Sequence, residues 1–475
     1  MADRSRLKQD ALLSSVGMLL SGGAQLVLSV VVGQVAGPAM LGSVRGALAL
    51  ANTASLLTPS AAGQTASLFV AREAAADNEP LALGVARHLA GRVALAMVVL
   101  MPVTAVAASL LIGATPADAA WVAALVLALG AYQMARGMRF GWGHVGRATL
   151  WEAGNTLLTL ALLAAVLLAR NPGWLLAPLV AGNLLYAIGA WTNLLGKAEH
   201  PGDELRRELD AYIRWGIVGT VASTGLMQMS MVIAKATATA DGAGWYAAAV
   251  SLATPLSMLA RALSMALFPE MARQRGRQDH AATRATTHRA TWGLVAAMTP
   301  AFAALIAVSQ PLMELVYGEA FHRAVPSLRV LLVAVLWSVV PVAATNSINV
   351  RGAAGVRLSA VLSWAGLVVG IAAIGILVGP LGIDGVALGY LAGATTTAVG
   401  AWLVVWRRDG HRWGVLSMWA VGLPVAAWWA SSVSDWTDSW PGAMGLAVAT
   451  LAVGAIFALV TRGARAVRGT EESRP

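Results

Sequence analysis

Arg261 is the residue of this chain best placed to do chemistry. It stands in the apolar run 244–268, eight residues before Pro269, and no carboxylate lies within a helical turn of it in that run. A guanidinium in hydrocarbon is costly, and such a group normally faces a wet cavity or a polar partner. There it offers bidentate, charge-assisted hydrogen bonds to a phosphate or carboxylate. Arg45 and Lys235 are further cations inside apolar runs, near the outer ends of their helices. Uncharged polar residues share faces with these cations at spacings of three and four, the spacing of helical neighbours. The faces are Ser14, Ser21, Gln25 and Ser29; Arg45, Asn52 and Ser55; Thr220, Thr224, Gln228 and Lys235; and Ser251, Thr254, Ser257, Arg261 and Ser264. Two readings stay open. The stripes line a cavity, or they are Ser/Thr packing glue between helices with Arg45 and Lys235 snorkelling to headgroups. Pro59 and Pro255 remove helical hydrogen bonds in two of these runs, where bends could act as gates.

Other chemistries lack their residues. There are no cysteines, which excludes thiol catalysis, disulfides and thiolate metal sites. The seven histidines show no metal-binding spacing, and no Gly-rich nucleotide loop is present. Glu152 is the one acid well placed in an apolar run of the first half, and its position reads as near a cytoplasmic end. No catalytic residue and no metal ligand is expected, and the chain is not read as an enzyme.

The elements that must position these groups are membrane helices. Of 475 residues, 58% are hydrophobic and 12% charged, too few polar groups to cover a soluble surface of this size. Helices of about 20 apolar residues span a bilayer. About fourteen such runs are expected, at 13–35, 43–69, 88–112, 119–140, 148–169, 174–195, 213–235, 244–268, 291–315, 326–348, 357–379, 382–405, 413–431 and 442–461. With the N-terminus in the cytoplasm, small basic clusters fall on alternate connections. Only Arg45, Arg170, Lys235, Arg261, Arg323 and Arg329 lie elsewhere. This asymmetry places both termini inside. The net charge of +10 is spread over many short clusters, so it does not indicate nucleic acid. Residues 269–290 are expected to form a basic helix lying on the surface.

A shift of 202 residues superposes Gly42-Ser43-Val44-Arg45-Gly46-Ala47 on Gly244-Trp245-Tyr246-Ala247-Ala248-Ala249. The fold class expected is all-α: a polytopic membrane protein with two six-helix pseudo-repeated lobes around a central cavity, plus two C-terminal helices. The domains would be 1–195 (N-lobe), 196–212 (cytoplasmic linker), 213–405 (C-lobe), 406–461 (the extra pair) and 462–475 (cytoplasmic tail). Transporters built from such repeats bind substrate at the repeat interface.

The turn AGPAMLGSVRGALALANTASLL, the block DGAGWYAAAVSLATPLSMLARALSMALFPEMAR, Tyr317-Gly318-Glu319 with Pro326-Ser327-Leu328-Arg329, and the segment from Gly379 to Ala387 together resemble a known family. It is the polysaccharide-transporter (Wzx-like) branch of the multidrug/oligosaccharidyl-lipid/polysaccharide (MOP) exporter superfamily. The resemblance covers about residues 10–410. It implies a flippase of the bacterial inner membrane that moves polyprenyl-pyrophosphate-linked oligosaccharide by alternating access, with Arg45 and Arg261 similar to cavity cations that hold the pyrophosphate. The substrate-binding residues expected are Arg261, Arg45, Lys235, Asn52, Gln25 and Gln228. Fewer cations are present than in the peptidoglycan-precursor branch. Trp428, Trp429, Trp436 and Trp440 would mark the outer side of an extra helix pair forming a lipid-tail groove. The partners implied are the lipid-linked glycan and membrane lipid. H⁺ or Na⁺ coupling and a polysaccharide polymerase or glycosyltransferase partner are left open. The competing readings are a cation-coupled multidrug antiporter, which needs an intramembrane carboxylate, a membrane-embedded glycan polymerase, and a non-transporting scaffold.

Overall fold

The computed structural model describes residues 2–191, 196–411, 413–433 and 438–471. Within its helices it describes all side chains but those of 2–16, 18–21, 191, 261, 262, 265, 266, 269, 276, 353 and 460–471. Among the described residues every regular element is a helix. Twelve stretches are long and apolar enough to cross a bilayer. Two elements are long enough for two crossings each and are broken by a non-helical glycine, at Gly37 (φ 80°) and Gly382 (φ 57°), so the crossings number about the fourteen expected. The chain is a multi-pass membrane protein. It divides into two compact units, residues 1–251 and 252–475, with the division inside a helix.

The first unit holds α1 (Ala2–Leu57), α2 (Pro59–Ala75), α3 (Glu79–Ile112), α4 (Pro116–Gly141), α5 (Val145–Leu168), α6 (Ala177–Trp191), α7 (Asp203–Thr237) and the start of α8 (Ala240–Gly276). Local sequence sets the ends. Pro59 and Pro116 stand in the first turns of α2 and α4, where a missing N–H costs nothing. The Asn78 side chain accepts from the Leu81 N–H at 3.3 Å, and Thr115 accepts from the Asp118 N–H at 3.2 Å, satisfying donors that a helix leaves open. Gly113 closes α3 in the left-handed region.

Small residues let the helices close up. A Cβ on Gly137 would lie 2.0 Å from the Gly63 carbonyl oxygen, so α2 and α4 touch backbone to backbone. Gly42 and Gly244, the glycines superposed by the 202-residue shift, pack against each other. A Cβ on Gly42 would lie 2.7 Å from the Gly244 nitrogen, and one on Gly244 would lie 1.9 Å from the Pro38 oxygen.

Residues 196–212, read as a linker, are irregular only up to the start of α7. The acids Asp203 and Glu204 begin that helix, where they face the positive end of its dipole. The irregular part is tied to α3, through the Glu199 N–H donating to Pro80 O at 2.9 Å and Arg87 donating to Gly196 O at 2.8 Å. Arg92 then pairs with Asp210.

The second unit holds the rest of α8, then α9 (His280–Ala307), α10 (Ser309–Tyr317), α11 (Val325–Val339), α12 (Val342–Asn349), α13 (Ala353–Asp409), α14 (Gly414–Val433) and α15 (Trp440–Glu471). α11 is apolar on all sides and almost wholly buried, the pattern of a central helix. Its Arg329 is buried and donates to Ser309 Oγ at 2.9 Å and Ser432 Oγ at 3.3 Å. α14 and α15 lie on α9, with Trp419, Phe457 and Trp292 stacked in near-parallel planes and Gly454 against Pro300. Trp429 and Trp440 are exposed, and Trp436 lies outside the described residues. No separate surface helix forms over 269–290. α8 runs on to Gly276, Gln278 turns the chain with φ 58°, and Asp279 caps α9 by accepting from the Ala282 N–H at 2.8 Å. The basic residues there ride on extensions of two spanning helices because a good capping residue sits between them.

His411, in the short connection between α13 and α14, stacks on Trp413 at 4.8 Å and on His288 at 5.4 Å. Burial first, then the charge of His288, hold its pKa below the ordinary 6.5, against a weaker opposing pull from Asp409. The unfolded chain therefore binds this proton more readily than the folded one, and folding stability falls as the pH drops from neutral through 6.5 and on through the lowered value. The thermal midpoint of the detergent-solubilised protein, followed between about pH 5 and 8, is expected to fall on the acid side, and His411→Gln is expected to flatten that fall. Gly244→Val is expected to destabilise by about 1–3 kcal/mol or more, since the backbone of Pro38 cannot yield to the new side chain. Thermal unfolding checks it, with Gly219→Val, where nothing lies within 4 Å, as the control.

Candidate functional site: a polar cavity in the first unit

A cavity of about 180 Å³ opens among α1, α4, α5 and α6. Its polar lining is Gln25 and Asn52 from α1, Tyr132, Gln133 and Arg136 from α4, Glu152, Asn155, Thr156 and Thr159 from α5, and Asn183 from α6. Five amides, one cation and one carboxylate inside a membrane helix bundle form a binding surface with few apolar side chains. Each helix presents these groups by regular spacing. Tyr132 and Arg136 are one turn apart on α4. Glu152, Asn155, Thr156 and Thr159 follow the i, i+3, i+4, i+7 stripe of one helical face.

Glu152 is buried, 4% exposed, and accepts a hydrogen bond from the Tyr132 hydroxyl at 2.9 Å. Its charge also acts on Arg136. Arg136 and Glu152 together line a second, water-sized pocket with Gly17, Phe140, Ala148, Thr149 and Tyr186, so the pair stands between two openings. On the α6 side, Thr159 Oγ lies 3.3 Å from both Asn155 Oδ1 and Pro178 O, and Asn183 donates to Leu179 O at 2.8 Å. Gly182 permits this approach, since a Cβ there would lie 2.1 Å from Thr159 Oγ.

A cationic clamp holds the three helices at the end of the site. The buried guanidinium of Arg139 lies between the rings of Trp151 and Tyr186, at 5.0 and 4.9 Å, a cation–π arrangement that offsets desolvation. Tyr186 in turn meets Tyr132 edge-on at 4.8 Å. The aromatic chain from Arg139 thus fixes the ring whose hydroxyl holds Glu152. Among the described residues no group of three or more His, Asp or Glu is placed to hold a metal.

Residues 203–439, just under half of the chain, match the family model of the lipid II flippase MurJ. The whole chain is similar in fold to a lipid II flippase MurJ in an inward closed conformation, with a TM-score of 0.72 at 10% identity, covering 94% of this chain and 98% of that one. It is also similar to an inward-facing multidrug resistance MATE family transporter of the MOP superfamily, with a TM-score of 0.67 at 16% identity over 86% of this chain and 99% of that one. A eukaryotic MATE transporter, AtDTX14, has a TM-score of 0.62 at 14% identity over 90% and 99%. No curated protein matches the chain. The chain has the MOP-superfamily fold. The family and structures matched are flippases and transporters rather than enzymes. The family model is that of the lipid II flippase, a different branch from the polysaccharide transporters that the sequence motifs resemble.

On this MOP fold the residues expected from sequence separate. Gln25 and Asn52 meet in the cavity. Arg45 is buried within the first unit, 8% exposed, and is not part of that lining. Lys235, in the last turn of α7, donates to Ser43 Oγ at 3.0 Å with its stem against Gly46, which makes it a tie between α7 and α1. Gln228 is half-buried on α7 and does not line the cavity. Pro59 is the buried first residue of α2, after a break at Thr58, and α8 continues through Pro255. Arg261 lies on α8, and its side chain is outside those described.

Arg136, Tyr132, Asn155, Thr159 and Asn183 were not among the expected residues, and Glu152 was read as an end residue. The stripe rule applied to α1 and α7 finds all of these but Asn183 on α4 and α5, and Asn183 lies on α6. Arg136 was hidden because it fits the count of basic residues at cytoplasmic ends, yet its guanidinium borders the cavity. Tyr132→Phe, which removes a donor from a buried carboxylate, is expected to destabilise the protein by about 1–3 kcal/mol, read as a lower thermal midpoint in detergent with unchanged expression.

Proposed function

We propose that this chain is a flippase for a lipid-linked, pyrophosphate-bearing glycan precursor in the bacterial inner membrane, with both termini cytoplasmic. The observation that carries the reading is the match of residues 203–439 to the lipid II flippase family on a chain whose fold is similar to that of a lipid II flippase over 94% of its length. A cavity lined with amides and one arginine supports it, because amide groups pair with sugar hydroxyls and a guanidinium with phosphate. A pyrophosphate cannot enter hydrocarbon without such replacements for its water. Within this reading the transport lobes are 1–195 and 213–405, residues 406–461 are an additional pair, and Arg261 and Arg45 act as further cations for the head group. Lipid II or a polysaccharide precursor is the cargo; the family match favours the former and the sequence motifs the latter.

One observation favours a cation-coupled antiporter as the second reading. That activity needs an intramembrane carboxylate, and Glu152 is one. Depletion of the gene separates the two. A flippase leaves lipid-linked precursor accumulating several-fold on the cytoplasmic side, restored by the wild-type gene and not by Arg261→Ala at equal protein level. Sensitisation to cationic dyes with normal precursor pools would instead establish the antiporter.

A further inference from the structure

Arg136 and Glu152 raise a question that cargo binding alone does not answer. The polar cavity has a carboxylate built into its wall. The carboxylate is held by Tyr132 and its charge acts on Arg136, the one cation among the residues lining the cavity. A carboxylate beside the guanidinium repels a phosphate that approaches it. It also makes the unloaded cavity nearly neutral, which lowers the cost of holding either charge in a low-dielectric setting.

We propose that Arg136 and Glu152 form a proton-gated anion site, in which a phosphate-bearing lipid head group pairs with Arg136 as Glu152 takes up a proton. The inference rests on the flippase reading for its ligand and deepens it by coupling cargo binding to proton uptake. In the unloaded state the carboxylate balances the guanidinium. On loading, the Glu152 carboxylate gains one proton and becomes a neutral acid. One negative charge of the pyrophosphate replaces it beside Arg136, and the second negative charge of the head group is left to the amides of the lining. The two pockets that Arg136 and Glu152 both line give the two arrivals separate places. The head group enters the 180 Å³ cavity lined by Gln25, Asn52 and Asn183, and the proton reaches Glu152 from the water-sized pocket bordered by Gly17 and Thr149.

The other titratable and charged groups around Glu152 do not replace it in this role. Tyr132 on α4 is its donor. Tyr186 on α6 lies beyond, against Tyr132 and Arg139, and Arg139 is engaged with two aromatic rings. The described polar residues of α1 in the cavity wall are the amides Gln25 and Asn52, which do not titrate in water.

The test uses the full-length purified protein in detergent with farnesyl pyrophosphate and, separately, inorganic pyrophosphate, both followed by calorimetry from pH 8 to 6. Wild-type affinity for a pyrophosphate is expected to rise as the pH falls, by up to tenfold per pH unit for one linked proton. The ligand's own phosphate titration near pH 6 is carried equally by Glu152→Gln, so the difference between the two profiles isolates Glu152. Glu152→Gln is expected to bind as tightly at pH 8 as the wild type does at low pH, with the Glu152 part of the slope gone. Glu152→Asp is expected to keep the slope, which shows that loss of slope is not loss of fold. Arg136→Gln is expected to lose at least tenfold in affinity at every pH. Tighter binding of farnesyl than of inorganic pyrophosphate assigns the site to a lipid head group, and equal binding assigns it to the phosphate alone. An unchanged slope in Glu152→Gln, wild-type affinity in Arg136→Gln, or no binding of either ligand by the wild type overturns the proposal. If the binding behaves as expected while gene depletion leaves precursor pools normal, the anion site stands and the flippase reading is the part that fails.

Discussion

A charge placed in hydrocarbon must bring its own solvent, and the first unit is built around that constraint. Glu152 is buried in a membrane helix, where an ionised carboxylate is expensive. Its cost is offset by the Tyr132 hydroxyl and the nearby Arg136. Tyr132 can hold its position because Tyr186 packs against its ring, and Tyr186 is held by Arg139. α4, α5 and α6 are therefore fastened by the same chain of contacts that keeps the carboxylate in place. The glycines that allow the helices to approach, Gly63 against Gly137 and Gly182 against Thr159, serve the same end. Without a hydrophobic force between helices in lipid, close packing of small residues takes over.

The second unit manages its charges differently. Arg329 is buried but satisfied by two serine hydroxyls, and Asp384 accepts from Ser327 at 2.5 Å. Arg351 pairs with Asp409 at the end of α13. These are ties between neighbouring helices, and they read as structure. Such contrast makes the first unit's cavity informative. Its polar groups exceed what packing requires, since five amides, a guanidinium and a carboxylate would be a poor way to join helices that glycines already join.

Proton-gated anion binding accounts for that excess. It ties the cavity to the flippase reading by chemistry rather than by resemblance. It also explains how a carboxylate, which a bare phosphate site would exclude, belongs in the wall. Cargo and carboxylate would then share one guanidinium in turn, so that Arg136 is balanced in either state.

Periodicity and composition alone carried the helical architecture, because in a bilayer every backbone group must be satisfied within its own helix. Runs of apolar length therefore translate directly into spans, and the breaks at Gly37 and Gly382 separate spans that the apolar runs had already divided. The shift of 202 residues pointed to Gly42 and Gly244, and the two do meet. The site was only partly legible. Gln25 and Asn52 were found by their stripe, but Lys235 and Arg45, equally plausible in sequence, lie outside the cavity lining. A stripe names the polar face of one helix; it does not say which neighbour that face meets. Arg136 and Glu152 looked like end residues because charge near a helix end is cheap in water and common. Only the packing of α4 against α5 and α6, which depends on the rotation and depth of each helix, turned the two toward a shared cavity and made them a pair.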